Sequence, residues 1–170
     1  MTENSQIEIE QRAAVVAEVR TWLRTPYHTM GRVKGAGCDC YTLLLEVFGK
    51  LGLFTDKDED VFYPRDWFLH ARNDHYKVRI LRHAREMVQH FCSATEMTSP
   101  GNIVLVNAAS SHGSIDIHGG IISAWPKVIH AFPPCVMEAD ARYHPAFAGG
   151  RLEFFSPWPA SIAKETAPHV

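Results

Sequence analysis

The most constraining feature of the sequence is a change of pattern near residue 100. Before it, apolar residues recur at helical spacing over 7–24 and 40–51. After it, short apolar runs are separated by turn residues. These runs cover 102–106, 115–123, 127–132 and 149–156. Helices followed by a cluster of strands predict an α+β fold, with a small antiparallel sheet packed against N-terminal helices.

The length of 170 residues is enough for one domain with a substantial core. We therefore expect a single domain over 1–170, with a motif-bearing core over about 7–155. A helical insertion is expected over about 56–95, because 64–92 has a helical pattern, and a C-terminal tail over 156–170. The basic and aromatic residues of the insertion are typical of a solvated surface, or alternatively of a surface for a ligand or partner.

The charge and hydropathy of the chain limit the kinds of partner that it is expected to bind and the compartment in which it is expected to be made. The formal net charge is -2, so no general attraction to nucleic acid is expected. No apolar run approaches the ~18 residues that a membrane span needs. The polar, acidic N-terminus does not resemble a secretory signal. We expect synthesis in the cytoplasm without a signal peptide, and no membrane partner.

Cys40 is the first candidate for chemistry. Asp39 can cap a helix that begins at Cys40, which places the thiol among exposed N–H groups that favour the thiolate. The same N–H groups can help to form an oxyanion hole. A buried structural thiol is the alternative. Cys92 and Cys135 lie in apolar surroundings and are interpreted as buried, inert thiols.

His118 and His130 form the second candidate group. They lie twelve residues apart, inside two apolar strand runs joined by a turn at about 124–126. On adjacent antiparallel strands they would share one face of the sheet. One imidazole could then serve as the base for a thiol while the other orients it. The alternative is a pair of hydrogen-bonded core histidines.

Tyr27 is the third candidate, in the loop before Cys40. Its hydroxyl could donate a hydrogen bond to an oxyanion or to a substrate. The alternative is a partly buried loop aromatic.

Several segments together resemble the NlpC/p60 family of papain-like cysteine peptidases. They occur in the order typical of the family and cover about residues 15–132. The segments are "WLRTPYHTMGR", "GCDCYTLLLEVF", "GNIVLV", "IHGGIIS" and "VIHAF". The nucleophile motif of the family is Asp-Cys shortly after a glycine, which matches Gly37, Asp39 and Cys40.

The resemblance also implies roles for three further residues. The family's catalytic histidine begins a His-x-Gly-Ile segment, which "HGGI" places at His118. Its third polar residue follows twelve positions later, at His130, and its upstream tyrosine matches Tyr27. We expect the substrate to contact Asp39, Tyr41 and Gly119.

The resemblance further implies an activity and a setting. The fold would be papain-like, and no cofactor would be needed. The reaction would be hydrolysis of peptidoglycan stem peptides, at a γ-D-glutamyl-diaminopimelate type bond, through a thioester acyl-enzyme. The lack of a signal peptide and of a wall-binding domain is similar to the phage-tail and gene-transfer-agent branch. That branch implies phage tail proteins as partners and delivery to the cell wall.

The chain also departs from the family pattern. Tyr41-Thr42 replaces the usual Ser-Gly, which could narrow the cleft, and Asn102 replaces an aspartate. Three other functions stay open: a non-catalytic phage-tail component with a peptidase fold, an acyltransferase and a zinc site. The zinc site would use Cys38 and Cys40 with His112 or His118, but Cys-x-Cys is narrower than the usual spacing.

Overall fold

The computed structural model describes residues 3–54, 90–91, 97–109, 115–148 and 150–158. The helices among them are α1 Glu3–Arg20 and α2 Cys40–Lys50. The strands are β1 Arg32–Val33, β2 Gly37–Cys38, β3 His90–Phe91, β4 Ile103–Ala109, β5 Ile115–Ala124, β6 Lys127–Phe132, β7 Cys135–Asp140 and β8 Arg151–Ser156. Most of the predicted insertion and residues 159–170 of the predicted tail lie outside the described residues.

Six of the described strands form one antiparallel sheet, in the order β3-β8-β4-β5-β6-β7. The short strands β1 and β2 pair separately, directly before α2. The α+β class predicted from the sequence is therefore confirmed. Neither described helix is long and apolar enough to cross a membrane.

Alternate side chains of the sheet enter two apolar clusters, one on each face. The first cluster joins α1 and α2 to the sheet through residues such as Leu44, Leu105 and Ile121. The second is formed by Val104, Val106, Ile122 and Val128 together with Ala141 and Phe147. Because both faces are covered, β6 is buried at four consecutive positions instead of alternating.

The first helix ends earlier than its predicted boundary at residue 24. The backbone of Arg24 has a φ of 70°, in the left-handed region that ends helices. Its N–H donates to the Val136 carbonyl at 2.9 Å, so a strand takes the place of the helical partner. This pairing also explains β7, which the sequence pattern did not predict. Part of its outer edge is hydrogen-bonded to residues 24–25.

Two further predictions need correction at their ends. His90–Phe91, at the end of the predicted helical stretch 64–92, pairs as a strand with β8. The predicted tail begins inside β8, and Trp158 is only 5% exposed. The Trp158 Nε1 donates to Gln11 Oε1 at 2.7 Å, which fastens this part of the chain to α1.

A buried carboxylate on α1 holds the segment that leads into α2. Glu18 accepts hydrogen bonds from Lys34, after β1, and from Lys50, at the end of α2, both at 2.6 Å. Burial alone would raise the pKa of Glu18, but these bonds and one from Trp22 lower it to about 2. The β1–β2 segment is therefore fixed to both helices immediately before Cys40.

Substitution of Gly120 tests the packing beside the histidines. A Cβ at this position would lie 2.5 Å from Val128 Cγ1 and 2.9 Å from the Ile129 carbonyl oxygen. Because backbone cannot move aside easily, Gly120→Ala should lower the free energy of unfolding by about 1–3 kcal/mol, measured by urea denaturation.

Gly49→Ala is the matched control, since its nearest contact would be at 4.0 Å and it lies in a helix. It should leave stability unchanged or raise it by up to about 1 kcal/mol. Equal denaturation midpoints for the two variants would contradict this packing.

Candidate active site

Asp39 is the N-cap of α2, as the sequence predicted. Its Oδ1 accepts hydrogen bonds from the backbone N–H of Tyr41 at 3.1 Å and of Thr42 at 2.9 Å. The Thr42 hydroxyl accepts the Asp39 N–H at 2.9 Å, which completes a capping box. The other carboxylate oxygen, Oδ2, accepts the Met30 N–H at 2.7 Å. One side chain therefore joins the start of α2 to the loop that carries Tyr27.

Cys40 is the first residue of α2 and is partly buried. Burial and, next, the Asp39 carboxylate raise the pKa of its thiol to about 12. Hydrogen bonds from the N–H groups of Gly119, Tyr41 and Cys40 itself lower the pKa, as expected at a helix start, but they do not outweigh burial. The thiolate expected from the sequence is therefore not the resting form at neutral pH.

His118 and His130 lie on the adjacent antiparallel strands β5 and β6, as their spacing predicted. The His118 Nε2 and His130 Nδ1 are 2.7 Å apart, and the rings meet edge to face with centroids at 4.9 Å. His130 is fully buried. A Cβ at Gly120 would lie 2.9 Å from the Cβ of His130. The glycine therefore leaves space for the buried ring.

Both histidines are neutral at neutral pH. Burial, followed by the charge of His144, lowers the pKa of His118 to about 3. Burial and the other two histidines lower the pKa of His130 to about 2. The 2.7 Å contact requires one proton between the two nitrogens. When that proton is on Nε2 of His118, the Nδ1 of the same ring carries a lone pair and can accept a proton.

The backbone of Gly119 connects the histidine pair to the cysteine. Its N–H donates a hydrogen bond to the Cys40 sulfur. The same nitrogen belongs to the peptide bond between His118 and Gly119. A Cβ at residue 119 would lie 2.7 Å from Leu105 Cδ2 and 3.5 Å from Leu44 Cδ1, so glycine allows α2 to approach β5. Among the described residues, no hydrogen bond joins the Cys40 sulfur to the His118 ring.

The other residues predicted to form the site occupy different positions. Tyr27 is partly buried against the first cluster, and its backbone N–H donates to the Pro134 carbonyl at 2.8 Å. Its backbone also bridges to Cys38, next to the cap. Tyr41, expected in the cleft, is only 8% exposed and belongs to the first cluster. Its roles and those of Tyr27 and Asp39 toward substrate stay predictions.

The other described cysteines are Cys38 and Cys135. Cys38 is fully buried in β2, and burial raises the pKa of its thiol to about 12. Cys135 is partly buried in β7, whereas Cys92 lies outside the described residues. Within the described ranges, no three histidine, cysteine or acidic side chains could hold a metal ion together. His112, named for a zinc site, is not among the described residues.

One residue near the site had no signal in the sequence. His144 follows β7 in a turn, where it has no periodicity and no motif to mark it. Its ring centroid lies 4.6 Å from that of His130, closer than the His118 centroid. Only the folding of this turn over the second face of the sheet brings the third histidine to the pair.

Comparison with known proteins supports the fold. No protein-family model matches the sequence, and no curated protein matches it significantly. NlpC2 and NlpC1 from Trichomonas vaginalis are similar in structure, with TM-scores of 0.58 at 16% and 17% identity. An NlpC/p60 family protein from Bacillus cereus ATCC 10987 has a TM-score of 0.56 at 15% identity.

These likenesses cover 88%, 88% and 87% of this chain. The chain in turn spans 48%, 45% and 40% of the three solved structures, which is half of their length or less. The fold of the chain is thus the α+β fold of NlpC/p60 domains, as its motifs implied.

The pH dependence of alkylation tests the protonation state of Cys40. Because only the thiolate reacts and the pKa is about 12, the rate of iodoacetamide alkylation should rise about tenfold per pH unit between pH 7 and 10. Peptide mass spectrometry assigns the label to Cys40, and Cys40→Ser gives the background. A rate that is constant between pH 6 and 8 would show a lowered pKa and contradict the neutral thiol.

Proposed function

We propose that the chain is a cysteine peptidase or amidase that hydrolyses peptidoglycan stem peptides, at a γ-D-glutamyl-diaminopimelate type bond. One observation carries the proposal. The thiol of Cys40, at the capped start of α2, contacts the peptide N–H that follows His118, and His118 is held by His130 at 2.7 Å. In this proposal Cys40 is the nucleophile, His118 is the base and His130 is the orienting group. The NlpC/p60 fold and motifs support the choice of substrate.

In the first half of the reaction, Cys40 attacks the scissile carbonyl carbon. Its thiol proton passes to Nδ1 of His118 as the sulfur–carbon bond forms. The negative oxygen then lies near the Cys40 N–H, because the Tyr41 and Thr42 N–H groups already donate to Asp39, and the Tyr27 hydroxyl is the second donor. Collapse of this intermediate breaks the carbon–nitrogen bond, and the His118 proton goes to the leaving amine. The product on the enzyme is a thioester.

In the second half, water replaces the amine. His118 takes a proton from water as the oxygen attacks the thioester, and returns it to the Cys40 sulfur on collapse. The acid product leaves and the neutral pair is restored. His130 keeps Nε2 of His118 engaged throughout, so that Nδ1 is the nitrogen that exchanges the proton.

The resting state is a neutral thiol beside a neutral imidazole, with no hydrogen bond between them among the described residues. The proton must therefore move during attack instead of before it. Hydrogen bonds of catalytic groups often shorten only when substrate binds. We infer that the peptide, by excluding water and contacting α2, brings the Cys40 sulfur and Nδ1 of His118 together.

The setting is part of the proposal. The chain acts on the cell wall, which it reaches in association with phage tail proteins. Its support is the inserted helical pattern over 64–92, which resembles that branch of the family.

A second candidate function is that of a non-catalytic tail component with a peptidase fold. The observation that favours it is the raised pKa of Cys40, since a reactive cysteine commonly has a lowered one. The two candidate functions are distinguished by cleavage, since a non-catalytic tail component would cleave no stem peptide.

Replacement of the cysteines separates the two functions. Cys40→Ala removes the nucleophile and should reduce cleavage of purified stem peptides by at least about a thousandfold. The measurement is mass spectrometry of the muropeptides after incubation. Cys38→Ala is the matched control. Because Cys38 is buried in β2, this variant should keep most of the activity.

Both variants are first compared with the wild type by circular dichroism. Equal loss of cleavage in two folded variants would refute Cys40 as the nucleophile. Wild-type protein that cleaves no stem peptide would favour the tail component.

A further inference from the structure

Three histidines form a row in the second face of the sheet. His118 on β5 contacts His130 on β6, and His130 contacts His144 in the turn after β7, with ring centroids 4.9 Å and 4.6 Å apart. The three also differ in access to water. His118 and His144, at the two ends of the row, are partly exposed, while His130 between them is fully buried. On the side of His130 that faces away from His118, His144 is thus the ring that can exchange protons with solvent directly.

The middle ring of the row has an incomplete set of hydrogen bonds. The Nδ1 of His130 is used by His118, and its buried Nε2 has no hydrogen-bond partner among the described residues. When His118 carries the shared proton on Nε2, His130 must carry its own on this buried Nε2. The ring whose centroid lies nearest to that of His130 is His144, whose Nδ1 accepts the Ala146 N–H at 3.2 Å. In its neutral form, His144 therefore presents a polarisable ring instead of a charge to His130.

A positive charge on His144 would have a different effect. In the reaction, His118 becomes an imidazolium when it takes the Cys40 proton. A second positive charge next to His130 repels that imidazolium through weakly screened protein interior. The charge of His144 lowers the proton affinity of both other histidines, in agreement with this geometry.

We propose that His144 is a positioning residue whose charge sets the lower pH limit of the reaction. While His144 is neutral, His118 can accept the Cys40 proton; once His144 is protonated, it cannot. The inference rests on the proposed function for its kinetic consequence. The coupling among the three rings is a property of the fold alone.

None of the other described groups around His144 changes its charge in the pH range where a histidine titrates. Phe132 and Phe147 contact its ring and do not ionise. Its backbone N–H donates to the Asp140 carbonyl, while the Asp140 carboxylate is bound by Arg142. Burial lowers the pKa of His144 below its ordinary value of 6.5. The acid limb of activity should therefore lie below pH 6.5.

The first test is the pH dependence of stem-peptide cleavage, kcat/KM, in wild type and in His144→Phe. Phenylalanine keeps an aromatic ring in the turn but cannot become charged. The midpoint of the acid limb should move down by about one pH unit or more in this variant. Tyr143→Phe is the control, because this neighbour is 77% exposed and its substitution should leave the midpoint in place.

The second test does not need activity or a variant. In wild-type protein labelled with ¹⁵N-histidine, the ring nitrogens of His118 and His130 should shift at the pH where His144 titrates. Their absence of response there would overturn the proposal. So would an unchanged acid limb in both His144→Phe and His144→Gln. If the wild type cleaves nothing, the proposed function fails, and the NMR response alone decides whether the histidines are coupled.

Discussion

The arrangement of the site depends on the carboxylate of Asp39. One oxygen caps the N-terminus of α2 as part of a capping box, and the other accepts the Met30 N–H at 2.7 Å. Met30 has a φ of 62°, a strained value that this bond helps to hold. The same side chain therefore fixes the direction of α2, the position of Cys40 and the path of the loop that bears Tyr27. Loss of the cap would release all three at once.

This arrangement has an electrostatic consequence. A negative charge that caps the helix also lies beside the thiol, and together with burial it raises the pKa of Cys40. Burial lowers the pKa of His118 at the same time, so both groups stay neutral. The fold favours accurate placement over a preformed thiolate–imidazolium pair. In the proposed mechanism, activation comes from bound substrate, which replaces water around the thiol and completes its contact with Nδ1 of His118.

Local signals were enough to predict the main parts of this structure. A capping aspartate before an apolar helix predicted α2, and two apolar runs on either side of a turn predicted the β5–β6 pair. Both features depend on residues close in sequence. The fold class followed from the order of these elements. The structure of the predicted insertion is outside the described residues, except for His90–Phe91.

What could not be predicted depends on contacts between distant segments. β7 is held partly by residues 24–25, and His144 meets His130 only because the following turn covers the sheet. The pKa of Cys40 reversed the expectation for the same reason. The helix N–H groups follow from the local sequence, whereas the burial that outweighs them arises from tertiary packing.

The central claim is that Cys40 attacks a peptide carbonyl with His118 as its base. It is tested most directly with a stem-peptide analogue that carries an electrophilic vinyl sulfone at the scissile position. The account predicts that peptide mass spectrometry finds the label on Cys40 and that His118→Ala slows labelling by at least about a hundredfold. Labelling of another cysteine instead of Cys40, or an equal rate without His118, would contradict it.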